Sequence, residues 1–345
     1  MGKLNISILP AGAWGTALAV PLSDNGHHVK LYFRHQEDAD HFNQEKENTK
    51  RLPKIKFNGR VCAISNLEEA LEDADVLVLA CDCAHVRNFF TQIKPLLKNN
   101  TKVLCVSKGI EEDTNLCMSE VLEQMDPQIS SKLAVLSGPN FAIEVGKRLP
   151  TLTVIASKNK EIAQDLQKIF SSENFRIYTQ DDVVGVELGG ALKNVIAIGV
   201  GIGDGLRYGE NGRAALITRG IAEMIKLGVE MGADELTFAG LSGMGDLILT
   251  CTSGKSRNYK AGLRIGRGVN PKELIESDET IEGLFTVRAA HELAKAKNIE
   301  VPIMEMVYKI VYKGLKPRKG FKQLMELELS SEDGNESYVS VSGSP

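Results

Sequence analysis

Up to about residue 180 the chain alternates short, β-branched apolar runs with helical stretches, and that alternation constrains its fold more than any other feature. The apolar runs fall at 4–9, 29–33, 75–81, 102–107, 133–137, 152–156 and 175–178, with helical patterns such as 84–97 and 115–125 between them. Short buried strands joined by helical crossovers make a parallel, doubly wound sheet covered on both faces. From about residue 183 the strand signals stop, and the long patterns VVGVELGGALKNVIAIGVGI, RAALITRGIAEMIKLGVEMG and LFTVRAAHELAKAKN read as helices. The expected organisation is a sheet domain over 1–185, an all-helical domain over 186–330 and a polar, Ser-rich tail without structure over 331–345. A chain of 345 residues can fill two such cores.

The first strand runs into ILPAGAWGTALA, close to the G-x-G-x-x-G turn that binds dinucleotides between a strand and a helix. Gly12 would let the backbone approach a pyrophosphate, and Gly15 would let helix and strand pack closely. Pro10 replaces the first glycine; its fixed φ suits a strand end, at the loss of one N–H. Pro21 is expected to kink the helix that follows. The second strand ends LYFRHQ, with Arg34 and His35 where an acid would bind the adenosine ribose. A guanidinium there suits a 2′-phosphate, so NADPH is favoured over NADH. A Rossmann-type sheet domain follows from the turn and the alternation together.

Other classes are disfavoured. A net charge of −4 argues against nucleic-acid or anionic-membrane partners. No stretch is expected to serve as a signal peptide or membrane span. Four of the six cysteines (Cys62, Cys81, Cys83, Cys105, Cys117, Cys251) sit in or beside apolar runs, as small buried hydrophobes do. Cys81 and Cys83 lack a second Cys/His pair at zinc spacing, so no metal is expected and a reducing cytoplasm fits. GKS at 254–256 is no phosphate loop, because Leu249 stands where that motif needs glycine.

None of the six histidines falls within 183–260, so a proton acceptor there must be another residue. Lys193 interrupts a very apolar helix and is either buried, aimed at a cleft or snorkelling; burial lowers a lysine's pKa toward useful general-base range. Gly189 and Gly190, one turn earlier, would let a ligand come close. Ser256, Arg257 and Asn258 put a hydroxyl, a cation and an amide in consecutive loop positions, suited to a phosphate or to an ordinary polar turn. Asp246 in GMGD either orients Lys193, accepts from a substrate hydroxyl or is a turn aspartate. Lys108 and the 137–140 segment follow strands, at the carboxyl edge where doubly wound folds bind ligands.

AGAWGTALA, VSKGIE, LSGPNFAIEV, VGVELGGALKNVIAIGVGIGDG, RAALITRG, GLSGMGDLILTCTSGKSRN and TIEGL lie in order over about residues 4–328. Together they resemble the bacterial NAD(P)-dependent sn-glycerol-3-phosphate dehydrogenases. The departures are Pro10, Pro21, Arg51 in place of an aromatic before Leu-Pro, and Thr280 in place of valine. The resemblance implies a cytoplasmic enzyme that interconverts sn-glycerol 3-phosphate and dihydroxyacetone phosphate for phospholipid synthesis, with NADPH or NADH, and leaves room for a homodimer. It implies Lys193 as proton acceptor, and Lys108, Gly138, Asn140, Asp246, Ser256, Arg257 and Asn258 as substrate contacts. It puts Ala13, Trp14, Arg34, Arg51, Lys108, Ala142, Arg257, Thr280 and Glu282 on the cofactor side, beside Gly12, Gly15 and His35. Two other functions stay open on the residues: a two-domain hydroxy-acid dehydrogenase, which would not need the Ser256–Asn258 cluster, and a catalytically silent NADPH-binding regulator, suggested by Pro10.

Overall fold

The computed structural model describes residues 2–327, together with the short strands Leu329–Ser330 and Ser337–Val339, which pair antiparallel. Most of the tail expected over 331–345 lies outside the described residues.

Eight strands form one sheet: β1 (Asn5–Leu9), β2 (His28–Tyr32), β3 (Val61–Ile64), β4 (Val76–Leu79), β5 (Lys102–Cys105), β6 (Leu133–Ser137), β7 (Thr151–Ala156) and β8 (Phe175–Gln180). Their spatial order is β3-β2-β1-β4-β5-β6-β7-β8, doubly wound about β1 and β4. Two details differ from the sequence expectation. β3 is an eighth strand whose four residues, VCAI, are too few to be read as a strand alone. β7 runs antiparallel to β6, so the sheet is mixed. The antiparallel register pairs Val135, Leu136 and Ser137 with Ala156, Ile155 and Val154, and a reversal of direction needs no long crossover.

The central strands read as unbroken apolar runs because both faces are covered. Ile6, Ile8, Val76, Val78 and Leu104 pack into the core on one face, whereas Leu9, Leu77, Leu79, Val103 and Cys105 pack into the core on the other. Each fully buried Leu or Ile contributes about 1.5–3 kcal/mol, so a one-residue register slip would expose the wrong set on every strand.

Past β8 the chain is helical. The helix Val183–Gly205 is buried over almost its whole length and is surrounded by Gly209–Glu230, Asp246–Thr252, Arg257–Gly266, Glu282–Lys297 and Pro302–Tyr312. It is long and apolar enough to cross a membrane, contrary to the sequence expectation, but 94% of its most apolar window is buried inside the protein. Glycines on both helices set its closest crossing: a Cβ on Gly201 would lie 2.2 Å from the Tyr259 carbonyl oxygen, and one on Gly262 2.1 Å from the Ile198 carbonyl oxygen. Backbones that close seat the Arg257–Gly266 helix rigidly on the core and fix where Arg257 begins.

Candidate active site

At the carboxyl edge of β1, the Leu9–Pro10 peptide bond is cis, Ala11 N donates to Tyr32 O (2.7 Å) and Gly12 N donates to Pro10 O (2.9 Å). The helix Ala13–Asp24 follows as one element through Pro21. Its N-terminus has no side-chain cap and no acidic residue in its first turn. An uncapped, dipole-positive helix end is a ready anion site. Glycine is needed at 15 because a Cβ would lie 2.8 Å from the Pro10 carbonyl. At Gly12 a Cβ would meet nothing within 4 Å, so the protein leaves open space there. Trp14 Nε1 is buried without a hydrogen-bond partner. Beyond β2, Arg34 and His35 are exposed, and neither side chain has a hydrogen-bond or ion-pair partner among the described residues. Arg51 is exposed, with its backbone N–H donating to Asn48.

A second cluster sits where the carboxyl ends of β5 and β6 meet the helical domain. Asp246 begins its helix directly after a π-helical turn, Leu241–Gly245, and is 2% exposed. Its Oδ2 is 2.9 Å from Lys108 Nζ, and its Oδ1 is 3.1 Å from Lys193 Nζ. Lys108 also donates to Gly138 O and to Asn140 Oδ1, each at 2.9 Å. Those three acceptors use all three donors of its ammonium group. Burial depresses the Lys108 pKa, against the pull of Asp246 in the other direction. Lys193 has two contacts, Asp246 and Thr250 Oγ1 at 2.9 Å, which leaves one N–H unspent. Thr250 in turn donates to Asp246 O at 2.6 Å. Asn140 is steadied by Thr153 Oγ1 (3.2 Å), and Thr153 donates to Ser137 O at 2.6 Å.

Ser256–Asn258 does not form the expected loop. Ser256 caps the helix Arg257–Gly266, its Oγ accepting from Tyr259 N at 3.2 Å. Asn258 is a bridge: it donates to Asn194 Oδ1 (2.8 Å) and accepts from Gly283 N (2.9 Å). Arg257 is left exposed at the helix start. Glu282 is drawn into the same region; desolvation and the negative charge of Asp82 push its carboxyl up to about 7, against Arg257, Lys193 and Lys108. Thr280 reaches across to Asp82 Oδ2 at 3.3 Å.

Lys108, Gly138, Asn140, Lys193 and Asp246 are thus brought into one network, with Arg257, Asn258 and Glu282 beside it. Ala142 opens the helix Ala142–Gly146, which packs on Ala13–Asp24. No hydrogen bond or ion pair among the described residues joins Arg34, His35 or Arg51 to the lysine cluster. Gly189 and Gly190 do not open space for a ligand: a Cβ on the first would lie 2.8 Å from Ser242 O, and on the second 2.5 Å from Ser137 Oγ. Their role is close packing of the helix on its own neighbours. Thr250, Asn194 and Asn48 were missed from sequence; the only local signal was the four-residue spacing of Asp246 and Thr250 on one helix face. Among the described residues no group of three or more His, Cys, Asp or Glu side chains is placed to hold a metal ion.

Known proteins resemble this chain over most of its length. Residues 5–163 match the family described as NAD-dependent glycerol-3-phosphate dehydrogenase N-terminus, and residues 182–322 match the C-terminus of the same enzyme. The glycerol-3-phosphate dehydrogenase [NAD(P)+] of Halalkalibacterium halodurans is 43% identical over 93% of both chains, and that of Bacillus subtilis is 42% identical over the same share. A crystal structure of glycerol-3-phosphate dehydrogenase from Coxiella burnetii superposes with a TM-score of 0.88 at 37% identity, covering 94% of this chain and 99% of that one. With both of its halves matched in order, this chain belongs to the NAD-dependent glycerol-3-phosphate dehydrogenase family.

Proposed function

We propose that the chain catalyses reversible hydride transfer between NAD(P)H and dihydroxyacetone phosphate, giving sn-glycerol 3-phosphate. The observation that carries the assignment of roles is the unequal state of two ammonium groups on one buried carboxylate. Lys108 has every donor occupied by protein, whereas Lys193 keeps an N–H to give.

The residues present fit a dinucleotide. Open space at Gly12, an uncapped helix end and the orphaned Trp14 indole N–H offer approach and donors for a pyrophosphate. Arg34 and Arg51, whose side chains have no hydrogen-bond or ion-pair partner among the described residues, are placed for the adenosine end, and Arg34 favours the 2′-phosphate of NADPH. When bound, the nicotinamide ring supplies or accepts the hydride.

The rest is done by the chain's own side chains. Lys193 Nζ is aimed by Asp246 and Thr250, so its remaining proton is held where an alkoxide oxygen forms. It gives that proton in the reductive direction and takes it back in the oxidative one. Asp246 places one carboxylate between the two lysine nitrogens, 2.9 Å from Lys108 and 3.1 Å from Lys193. Lys108 acts as a fixed positive charge beside the substrate carbonyl, and Arg257 offers charge-assisted bonds to the substrate phosphate. The free thiols, with five of the six buried, support a reducing, cytoplasmic setting.

The test is Lys193→Met, assayed with dihydroxyacetone phosphate and NADPH. Loss of a general acid predicts a kcat about 10²–10⁴-fold lower, with cofactor binding retained. A variant that keeps more than half of the wild-type kcat refutes the role.

A further inference from the structure

The opening turn is held from outside by a side chain that belongs to neither cluster. Asn48 is 4% exposed, and its Nδ2 donates to Ala11 O at 3.0 Å and to Thr16 Oγ1 at 2.9 Å. Ala11 O and Gly12 N are the two polar ends of one peptide, and Gly12 N is already tied to Pro10 O. With Asn48 in place that peptide cannot rotate. Its fixed plane aims the first free N–H groups of the Ala13–Asp24 helix outward, toward the open space at Gly12.

The same side chain holds a second element. Asn48 Oδ1 accepts from Arg51 N at 3.2 Å, and Asn48 O accepts from Leu52 N at 2.8 Å. The loop is closed at its base by Phe57 N donating to Lys46 O (2.8 Å). Its inner face is apolar: Leu52 and Ile55 are buried and press on Gly146, at the end of the helix that Ala142 begins. Of the loop's other cations, Lys50 pairs with Asp38 and Lys56 with Glu45 and Glu47, while Lys54 is exposed and donates only its backbone N–H, to Glu47. Arg51 has no such partner among the described residues, and its backbone is clamped by Asn48.

We propose that Asn48 is a positioning residue for the cofactor: it locks the Ala11–Gly12 peptide and fixes the Arg51 loop on it, so that turn and guanidinium act as one anion-binding unit. This rests on the reading of the turn as the dinucleotide site. A merely structural asparagine would affect melting alone; a coupling asparagine makes the contribution of Arg51 depend on it.

The experiment is a titration of NADPH fluorescence against wild type, Asn48→Ala, Asn48→Asp, Arg51→Ala and the Asn48→Ala/Arg51→Ala double variant, with melting curves for each. Asn48→Asp keeps the shape and the Oδ1 acceptor but loses the donor to Ala11 O, so it serves if the alanine variant does not fold. Loss of the two amide donors is expected to raise the NADPH Kd about tenfold in either single variant, and to appear in cofactor KM rather than in kcat. Arg51→Ala is expected to raise Kd about fivefold or more alone and less than about twofold in the Asn48→Ala background, as coupled sites behave. Equal effects in both backgrounds, or no effect of Arg51→Ala in wild type, overturn the proposal. So do Asn48 variants that bind like wild type. A wild-type chain that binds neither NADPH nor NADH overturns the reading of the turn, and this proposal with it.

Discussion

Asp246→Asn removes one negative charge and almost no volume from a point where two ammonium groups lie 2.9 and 3.1 Å from its oxygens. The carboxamide can accept from one lysine, but it turns an N–H₂ toward the other, donor against donor. With Asp246 2% exposed, water cannot take over the lost contact. Breaking a buried ion pair costs about 3–5 kcal/mol when the orphaned charge stays buried. Part of that is relieved here, because burial already lowers the pKa of Lys108 and it can shed its proton. A loss of about 3 kcal/mol is therefore expected near neutral pH, seen as a fall in Tm of roughly 4 °C. Lys193 loses the carboxylate ion pair at 3.1 Å that helps to aim it, and a charged contact worth about 1.5–3 kcal/mol is about 10–150-fold in kcat/KM. The assays are thermal melts and steady-state reduction of dihydroxyacetone phosphate. An unchanged Tm together with an unchanged kcat/KM would refute the shared-carboxylate reasoning.

Gly12→Ala should melt within about 0.5 kcal/mol of wild type, because its φ of −70° suits alanine and its Cβ meets nothing; it should nonetheless bind NADPH markedly more weakly in a fluorescence titration, and equal binding would place the cofactor elsewhere. Arg34→Asp should move the ratio of kcat/KM values from NADPH toward NADH, since a ribose-hydroxyl acceptor replaces a phosphate partner; an unchanged ratio removes Arg34 from the site. Glu187, bonded to Ser119 N and Ser119 Oγ, has its carboxyl pushed up to about 7, chiefly by burial. A folded pKa raised above the unfolded one makes the native state hold the proton longer, so stability falls as pH rises from about 4.5 to about 7 and then levels off. Glu187→Gln should remove up to about 3 kcal/mol of that slope, measured as denaturant midpoints across the window; an unaltered pH dependence would show that Glu187 does not titrate there.

Much of the fold was legible because burial writes itself into sequence. Strands covered on both faces are apolar at nearly every position, so β1, β4, β5 and β6 stand out, and the Val183–Gly205 helix, buried almost all round, stands out in the same way. The turn was legible too, since Gly15 is forced by a backbone carbonyl 2.8 Å from where its Cβ would be. Motifs likewise pointed to Lys108, Lys193 and Asp246 without showing that they touch. Lys108 and Asp246 are 138 residues apart, and only the seating of the helical domain on the ends of β5 and β6 makes one carboxylate serve two lysines. Tertiary structure also decided between uses of the same residue type. Asn258 looks from sequence like a plain loop donor beside Arg257, yet its amide also bridges Asn194 and Gly283, while Asn48, which carries no motif, braces the dinucleotide turn from 32 residues away. The direction of β7 and the close packing of Gly189 and Gly190 were settled the same way. Local sequence records what each residue must avoid, such as water or a clash; the partner that satisfies a polar group is chosen by chain segments that meet only when the two cores dock.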